Sequence, residues 1–349
     1  MQRIRDRVDG PGAVVLTSLP DIRWATGFSG SNALVVLSDQ AHLLTDGRYT
    51  EQASREVSAC QVHIATAGLQ RLAVGAIIAE GSEVTLQAEQ VTLAQLEEFE
   101  AGAEGRRLTF RHQMELVSPL RAIKDALELR AITKAQRLTE SVFGLLPSLV
   151  REGMTEFELS AEITYRHLSA GAQRMSFDPI VGFGENSALP HGRPGPRRLR
   201  AGDPILVDMG CFLDGYASDM TRMMVFGTPT QDFLDGFDLV LRALGQAHDQ
   251  ACAGMRACDL DAAARAVIEE GGMGSAFSHS LGHGVGLEIH EAPSVSFRSE
   301  AALPNGCVVT LEPGIYLESQ FGIRIEDIVV LRSDGCDLVT DVPRDLVRI

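Results

Sequence analysis

The chain carries the segment Ser278-His-Ser-Leu-Gly-His-Gly-Val-Gly-Leu-Glu-Ile-His-Glu291, in which His283 stands between two glycines. Because glycine has no side chain, this setting lets the backbone bring an imidazole close to an ion. The glycines at 282, 284 and 286 also suggest a phosphate loop, but the third glycine of a dinucleotide fingerprint is absent and no suitable strand–turn–helix follows. The segment therefore favours a metal-ligating histidine, although a Gly-His-Gly tripeptide is weak evidence by itself.

Four carboxylates in the C-terminal half stand in similarly apolar or glycine-rich surroundings. A charge inside a hydrophobic strand costs several kcal/mol unless it is paired or bound to a metal. One such acid alone is commonly paired with an arginine or with backbone amides. A set of four, together with a glycine-flanked histidine, needs a common explanation, and two divalent cations would provide it. The four carboxylates belong to Asp208, Asp219, Glu312 and Glu326.

The spacing of the carboxylates predicts two hairpins. Asp208 and Asp219 are eleven residues apart around a glycine-containing turn, so a hairpin can place them side by side on adjacent strands. Like charges so close raise the pKa of one group or demand a cation between them. Glu312 and Glu326 are fourteen residues apart, again around glycines, and we expect them on a second hairpin.

The donor set indicates both the metal and the reaction class. Four carboxylates with one imidazole form a hard, oxygen-rich site that favours Mn²⁺, with Co²⁺, Fe²⁺ or Zn²⁺ as alternatives, over a thiolate-type site. Two divalent ions can activate water and polarise a carbonyl, so metal-assisted hydrolysis is the natural reaction class. His191, His279 and His290 lie in the same region. They are either buried structural histidines or hydrogen-bond donors to the substrate and its oxyanion.

Composition excludes several classes of protein. The net charge of −16 argues against nucleic acid or an anionic membrane as the main partner, because both need a basic face. The six cysteines show no Cys-x-x-Cys pairing, which is typical of reduced thiols in the cytoplasm. We see neither the apolar core of a signal peptide nor a run long enough for a membrane span. We therefore expect a cytoplasmic globular protein.

Residues 1–118 alternate short apolar strands with turns and helical patterns, which predicts a small α/β domain. A stretch rich in arginine and glycine from Gly102 to Arg111, followed by Pro119, marks its end. The predicted strands are 13–17, 33–37 and 41–45, and the predicted helices are 50–56, 69–80 and 92–100.

Residues 119–349 are expected to form the second domain, and from Asp125 onward the pattern predicts two similar halves, each with two helices followed by strands that carry the candidate ligands. In the first half we expect a helix over 126–150, disturbed in its last turn by Pro147, and another that begins with a capping box at Thr155 and ends near Gly171. In the second half the helices are 233–254 and 260–270. The order predicts an internal duplication, with helices outside a two-lobed sheet and the acidic residues inside, where the lobes meet.

The five candidate ligands, with the segments 278–291 and Thr310-Leu-Glu-Pro-Gly-Ile-Tyr316, resemble the pita-bread metallopeptidases. This family includes methionine aminopeptidase, aminopeptidase P and prolidase. The resemblance extends from about Asp125 to residue 349 and fills all five ligand positions. It implies a duplicated α+β catalytic domain over 119–349.

The segments Ile22-Arg-Trp-Ala-Thr-Gly-Phe-Ser-Gly-Ser31 and Thr45-Asp-Gly-Arg-Tyr49 are similar to the creatinase-type N-terminal domain. Methionine aminopeptidases lack this domain, so it favours the proline-specific branch of the family. In that branch the domain usually mediates dimerisation and can close part of the partner's active site. The resemblance thus implies a homodimer that acts on proline-containing dipeptides or short peptides.

The resemblance also implies residue roles. Asp208 would bind one metal ion, His283 and Glu312 the other, and Asp219 and Glu326 would bridge the pair. Glu312 would also carry the proton from the attacking water to the leaving proline nitrogen. The remaining catalytic and substrate-binding positions match His191, His290, His279 and Arg324, the last two as supporting residues.

Two proline-specific activities fit this resemblance. A dipeptidase must bind the free carboxylate after proline, and the placement of Arg298 resembles the carboxylate-binding arginine of some prolidases. Ser294 occupies the position where compact prolidases often carry an arginine, and a solvated loop arginine is the other interpretation of Arg298. The short N-terminal domain favours an Xaa-Pro dipeptidase, with aminopeptidase P as the alternative. A metal-free creatinase-like hydrolase and an inactive binding module are the competing classes.

Overall fold

The computed structural model of the chain describes residues 1–8 and 12–349. It separates into two compact units, Met1–Arg121 and Ala122–Ile349. The boundary predicted after residue 118 falls inside the helix Ser118–Ala122, which also contains this division. Among the described residues, none of the helices is both long enough and apolar enough to cross a membrane.

The first unit contains a six-stranded mixed sheet. Its strands are β1 (Ala13–Leu16), β2 (Ala33–Leu37), β3 (Ala41–Asp46), β4 (Gln61–Ala65), β5 (Glu83–Gln87) and β6 (Thr109–Gln113). In the order β4-β3-β2-β1-β5-β6, β2 is antiparallel to β1 and β3, and the other neighbouring strands are parallel. The helices are α1 (Gln2–Arg5), α2 (Leu19–Thr26), α3 (Thr50–Glu56), α4 (Leu69–Leu72), α5 (Leu93–Gly102) and α6 (Ser118–Ala122).

The three strands predicted in this unit are confirmed, and two of them are buried along their whole length. Along β1, Val14 and Leu16 belong to one apolar cluster, while Ala13 and Val15 belong to another. Because successive side chains point to opposite faces, a strand covered on both faces is apolar at every position. The continuous apolar sequence of β1 therefore reflects burial on both sides of the sheet.

Two of the predicted helices of the first unit are confirmed and the third is shorter than predicted. α3 has the predicted bounds, and α5 begins after Thr92, whose side chain forms a capping box with Gln95. The helix predicted over 69–80 leaves the α conformation after Leu72 and continues as a π-helical turn, Ala73–Ile77. Gly75 lies in this turn and has low helix propensity, which helps to explain the early end.

The second unit contains two larger sheets and two small ones. Its helices are α7 (Ala126–Phe143), α8 (Leu146–Leu149), α9 (Glu156–Ser169), α10 (Gln231–Gln250) and α11 (Ala257–Glu270). Its first seven strands are β7 (Arg174–Met175), β8 (Ile180–Phe183), β9 (Pro204–Met209), β10 (Cys211–Leu213), β11 (Tyr216–Ala217), β12 (Met220–Val225) and β13 (Gly282–Gly284). The others are β14 (Glu291–Val295), β15 (Val308–Leu311), β16 (Gly314–Leu317), β17 (Phe321–Arg324), β18 (Asp327–Arg332), β19 (Gly335–Leu338) and β20 (Val347–Arg348).

The two larger sheets have the orders β20-β12-β9-β8 and β14-β13-β15-β18-β19. Residues of α7, α8 and α9 share an apolar cluster with β8, β9 and β12, and residues of α10 and α11 share another with β15, β17 and β18. Each half of the unit thus packs its helices on its own sheet, in the repeated order that the sequence predicts.

Some predicted helices of this unit differ from the structure in their extent, and one of them, predicted over 233–254, spans Gln231–Gln250. The helix expected over 126–150 ends at Phe143, and a separate short helix begins at Leu146 with Pro147 in its first turn. Proline lacks the N–H that a helix interior requires but is tolerated in a first turn. Pro147 is therefore accommodated at the start of α8, so that the chain forms two helices where one was predicted.

Candidate active site

The four candidate carboxylates lie where two antiparallel strand pairs meet. Asp208 is on β9, and its cross-strand neighbour on β12 is Thr221, so Asp219 stands just before the start of β12. Glu312 directly follows β15 and Glu326 directly precedes β18, two strands that pair up to their adjoining ends. Both predicted pairings are thus present. The connection between the two glutamates contains a separate hairpin, β16–β17.

His283 is on β13, between β14 and β15, in a place that only glycine neighbours allow. A Cβ atom at Gly282 would collide with the carbonyl oxygen of Thr310, and one at Gly284 with that of Ala292. The pairing of β13 with β14 shifts register between His283 and Gly284, and irregularities of this kind redirect a side chain. The two glycines therefore allow β13 to lie close to its neighbouring strands, and this close packing positions the imidazole of His283 in the site.

The ring of His283 is oriented for metal binding. Its Nδ1 lies 3.1 Å from the carbonyl oxygen of Gly284, a contact that places the hydrogen of a neutral ring on Nδ1 and leaves the lone pair on Nε2. Nε2 lies 3.5 Å from Oδ2 of Asp219 and 3.3 Å from Oε1 of Glu312. The free lone pair thus points among carboxylate oxygens.

The residues present fit a divalent cation. Ligand atoms of Asp219, His283 and Glu326 all lie within 4.8 Å of one another. Oδ1 of Asp208 and Oε1 of Glu326 are buried and have no hydrogen-bond partner among the described residues. Buried polar atoms are almost always partnered, so oxygens of this kind next to an imidazole fit a bound cation. Carboxylates with one imidazole suit hard or borderline divalent ions.

The electrostatics of the site also favour a bound cation. Burial raises the pKa of Asp208, and it raises the pKa of Asp219 and Glu326 further because neighbouring carboxylates act in the same direction. Burial also acts to raise the pKa of Glu312, but when the His283 ring is protonated and no cation is bound, its hydrogen bond and charge lower that pKa to about 2. Carboxylates that cannot all ionise cheaply become ionised together when they share a cation.

Arg324 is a buried arginine that connects several parts of the site. Its side chain is 3 % exposed, although it borders the cavity. It donates to Oδ2 of Asp208 (2.6 Å), the hydroxyl of Tyr316 (2.6 Å), Oγ1 of Thr221 (3.0 Å) and the carbonyl oxygen of Pro190 (3.1 Å). The guanidinium thus orients the candidate ligand Asp208 and holds the backbone at Pro190, next to His191.

The three further histidines all border one cavity. The ring of His290 meets that of His283 edge to face, with centroids 4.3 Å apart, and His191 is exposed. Nδ1 of His279 lies 2.8 Å from the carbonyl oxygen of Ser280, and its Nε2 lies 2.9 Å from the hydroxyl of Tyr316. Burial lowers the pKa of both His279 and His290, which keeps these rings neutral.

Helix α11 holds the segment that leads to His283. Oδ1 of Asp261 accepts a hydrogen bond from the backbone N–H of Leu281 (2.9 Å). Arg265, ion-paired with Asp261, donates to the carbonyl oxygens of Phe277 (2.9 Å) and His279 (2.8 Å). The sequence analysis missed this pair. The spacing of an aspartate four residues before an arginine was visible, but its long-range partners were not.

The cavity has a volume of about 470 Å³, which suits a small ligand. Besides the predicted residues it is bordered by Asp178, Arg193 and Ser294, of which the first two were missed by the sequence analysis. Arg298, expected at the substrate carboxylate, is not among the described residues that border it. Arg298 is exposed and its guanidinium lies over the ring of Phe297, 5.0 Å from the centroid. The geometry therefore favours the interpretation of Arg298 as a solvated loop arginine.

Comparison with known families assigns both parts of the chain. Residues 130–333 match metallopeptidase family M24, and residues 4–123 match the creatinase/prolidase N-terminal domain. The first match covers the helices α8 to α11 and all five candidate ligands.

Individual relatives and solved structures agree with these matches. The Xaa-Pro dipeptidase of Pyrococcus furiosus is 39 % identical over 238 residues, which are 68 % of this chain and 68 % of that protein. The structure of an Xaa-Pro dipeptidase from Bacillus anthracis is 32 % identical, with a TM-score of 0.95 and coverage of 100 % of this chain and 98 % of that one. The structure of an X-Pro aminopeptidase from Thermotoga maritima is 35 % identical, with a TM-score of 0.91 and coverage of 99 % and 100 %.

These similarities confirm the predicted fold class, a creatinase-like α/β domain followed by a pita-bread catalytic domain. They also confirm the resemblance on which the predicted enzyme class rests. The chain belongs to metallopeptidase family M24 and carries a creatinase/prolidase N-terminal domain.

Proposed function

We propose that this protein is an Xaa-Pro dipeptidase, a metal-dependent enzyme that hydrolyses the bond before proline in dipeptides. The observation that carries the proposal is the convergence of ligand atoms from Asp219, His283 and Glu326 beside a cavity that suits a small peptide. The dipeptidase relatives, similar over two thirds of the chain or more, support the choice of substrate.

The proposed metal centre holds two ions. Asp208 would bind one, His283 and Glu312 the other, and Asp219 and Glu326 both. The oxygen-rich donor set favours Mn²⁺, with Co²⁺ or Zn²⁺ as alternatives. When bound, such ions supply a Lewis acid for the peptide carbonyl and lower the pKa of water, so that a nucleophile is available near neutral pH.

In this proposal, residues of the chain itself position the substrate and move the proton. Glu312, which would be ionised as a metal ligand, can take a proton from the attacking water. It then delivers this proton to the nitrogen of the leaving proline. His191 and His290 donate hydrogen bonds to the substrate and to the oxyanion that develops on its carbonyl. His279 keeps its orientation through the Tyr316 hydroxyl, which Arg324 holds in turn.

An aminopeptidase P activity, which removes the residue before proline from longer peptides, is the second candidate. The similarity to the X-Pro aminopeptidase of Thermotoga maritima, at 35 % identity over nearly the whole chain, is the observation in its favour. The two activities share the metal centre and differ in the group attached to the carbonyl carbon of the proline. A dipeptidase binds a free carboxylate there, whereas an aminopeptidase accommodates a further peptide bond.

We also propose a cytoplasmic homodimer. The free thiols of all six cysteines suit a reducing compartment, and the N-terminal domain belongs to a type that mediates dimerisation in the proline-specific branch. Sedimentation or light scattering tests the assembly, since a mass near twice 37.6 kDa is expected. A mass near 37.6 kDa at working concentrations would contradict it.

Product analysis with two substrates tests the proposed function. The Mn²⁺-loaded protein should release free proline from Ala-Pro and leave Ala-Pro-Ala largely intact. Cleavage of Ala-Pro-Ala to alanine and Pro-Ala, without cleavage of Ala-Pro, would replace the dipeptidase by the aminopeptidase. If neither peptide is cleaved, both proline-specific proposals fail.

A further inference from the structure

A dipeptide that ends in proline brings a free carboxylate into a cavity that several acidic residues border. Five acidic residues line this cavity, and the arginines that border it are Arg193 and Arg324. A free carboxylate that leaves water for this cavity needs a cationic partner, and a guanidinium is the side chain best suited to that contact. The recognition of the substrate terminus therefore depends on which of the two arginines is available.

Arg324 is already engaged with the protein. It is 3 % exposed and ion-paired with Asp208 at 2.6 Å, and it donates further hydrogen bonds to Thr221 and Tyr316. To bind a substrate carboxylate it would have to release a candidate metal ligand. Arg324 therefore acts as a positioning residue of the metal site.

Arg193 has the opposite character. Its side chain is exposed, it borders the cavity, and within residues 1–8 and 12–349 it has neither an ion-pair partner nor a side-chain hydrogen bond. A guanidinium without a protein partner loses no existing contact when it binds an anion. Arg193 is also two residues from His191, so one loop would present a cation for the carboxylate and an imidazole for the peptide.

The loop that carries Arg193 is anchored on both sides. Arg324 donates to the carbonyl oxygen of Pro190 (3.1 Å), and the N–H of Gly192 donates to that of Leu189 (3.0 Å). After Arg193, the N–H of Gly195 donates to the carboxylate of the buried Glu156 (2.8 Å). Anchors on either side of a side chain reduce the entropy lost when a ligand orders it.

We propose that Arg193 binds the free carboxylate of the substrate's proline and so determines the preference for dipeptides. This inference rests on the proposed function, and it gives to Arg193 the carboxylate-binding role that was expected of Arg298. The guanidinium can donate hydrogen bonds to both carboxylate oxygens of a dipeptide. In a substrate that continues beyond proline, the amide at the same place has only one acceptor oxygen and no charge. Arg193 is thus expected to discriminate Ala-Pro from substrates that continue beyond proline.

Kinetics with Arg193→Gln, Arg193→Lys and Arg298→Gln test this assignment on Ala-Pro and on its amide, Ala-Pro-NH₂. Losing a charge-assisted contact should raise KM for Ala-Pro roughly 10- to 100-fold in Arg193→Gln, with kcat changed by less than about threefold. KM for Ala-Pro-NH₂ should stay within about threefold, because no charge is lost there. Arg193→Lys should lie between the wild type and Arg193→Gln, and Arg298→Gln is the matched control that should leave all values unchanged.

Titration calorimetry with free L-proline gives a measurement that needs no turnover. The Kd for proline should rise by the same roughly 10- to 100-fold in Arg193→Gln and stay unchanged in Arg298→Gln. An unchanged KM and Kd in Arg193→Gln, or a loss confined to Arg298→Gln, overturns the assignment. If the wild type cleaves neither substrate, the proposed function fails, but the proline titration still tests the role of Arg193. The assignment is then overturned if proline does not bind, or if its Kd is the same in the wild type and in Arg193→Gln.

Discussion

Glu326 shows at the scale of one residue why the site needs a cation. Its side chain is 1 % exposed, and Oε2 accepts a hydrogen bond from Thr221 Oγ1 at 2.9 Å, while Oε1 has no partner among the described residues. Burial and the nearby Glu312 and Asp208 raise its pKa well above the ordinary value. An unsatisfied buried polar atom costs about 1–3 kcal/mol, and a bound cation would offset that cost. The unpartnered oxygen of this candidate ligand is therefore expected to lower the stability of the protein when no cation is bound.

Replacing Glu326 by glutamine should separate the cost of the unpartnered buried carboxyl group from the stabilisation that a bound cation gives. Without metal, Glu326→Gln removes a carboxyl group whose ionised form burial disfavours and offers an amide to the neighbouring carboxylates, so the free energy of unfolding should rise by about 1–3 kcal/mol. The same variant should lose most of the rise in Tm that Mn²⁺ gives the wild type. Thermal unfolding of chelated and Mn²⁺-loaded samples measures both changes.

The control for this variant is Glu318→Gln, at an exposed glutamate, which should change stability by less than about 0.5 kcal/mol in either state. A Glu326→Gln protein that is less stable than the wild type without metal, yet retains the full Mn²⁺ response, would refute the assignment of Glu326 as a ligand.

At the scale of elements, a buried ion pair ties the start of β14 to the segment before α7. Nζ of Lys124 lies 2.8 Å from Oε1 of Glu291, and the two side chains are 1 % and 5 % exposed. Glu291 directly follows His290, so this pair fixes the backbone next to a histidine of the cavity. Removing one partner of a buried pair is far more costly than removing one of an exposed pair.

Lys124→Met should therefore destabilise the protein by about 3–5 kcal/mol, because the buried carboxylate of Glu291 loses its ammonium partner. Lys134→Met is the matched control: Lys134 pairs with Asp214 at 2.6 Å, but the side chains are 61 % and 58 % exposed. The control should lose less than about 1 kcal/mol. Urea unfolding of the three proteins measures the differences, and equal losses in both variants would show that burial is not decisive here.

A second contact between elements predicts how stability depends on pH. His167 on α9 is fully buried, with Nε2 3.2 Å from Oγ1 of Thr139 on α7 and Nδ1 2.9 Å from the carbonyl oxygen of Ile163. Burial lowers its pKa in the folded protein. Near pH 6.5 the imidazole of His167 therefore binds a proton in the unfolded chain but stays neutral in the folded chain. The contribution of His167 is complete above that pH and is lost as the pH falls below it.

The variant His167→Gln, which does not titrate, isolates this contribution. The stability of the wild type relative to His167→Gln should decrease between pH 8 and pH 5, because only the wild-type unfolded chain gains a proton at this position. Urea unfolding at several pH values gives the difference directly. A difference that stays constant from pH 8 to pH 5 would contradict a lowered pKa for His167.

At the scale of the whole molecule, the fold and the composition of the site were predictable because their signals are local. Acids in apolar strands and the two glycines around His283 can be recognised from short stretches of sequence. The structure brings Asp219, His283 and Glu326 together. The capping box at Thr155 is equally local and is confirmed. Patterns of this kind reflect the chemistry of neighbouring residues, which sequence analysis can evaluate.

Other features depend on which loop reaches the cavity, and spacing alone does not reveal that. Arg298 and Arg193 are both loop arginines near histidines in the sequence, yet only Arg193 borders the cavity. The support of the 277–281 segment by Asp261 and Arg265 likewise connects parts of the chain that come together only after folding. Such tertiary contacts are where the sequence analysis was incomplete.

The proposed metal centre for hydrolysis before proline consists of four carboxylates and one imidazole. The most direct test is a Mn²⁺ titration of chelated protein, with the release of free proline from Ala-Pro as the readout. We expect no release without metal and a rise that reaches its plateau at two equivalents of Mn²⁺ per chain. Proline release by the metal-free protein, or none at any loading with Mn²⁺, Co²⁺ or Zn²⁺, would contradict it.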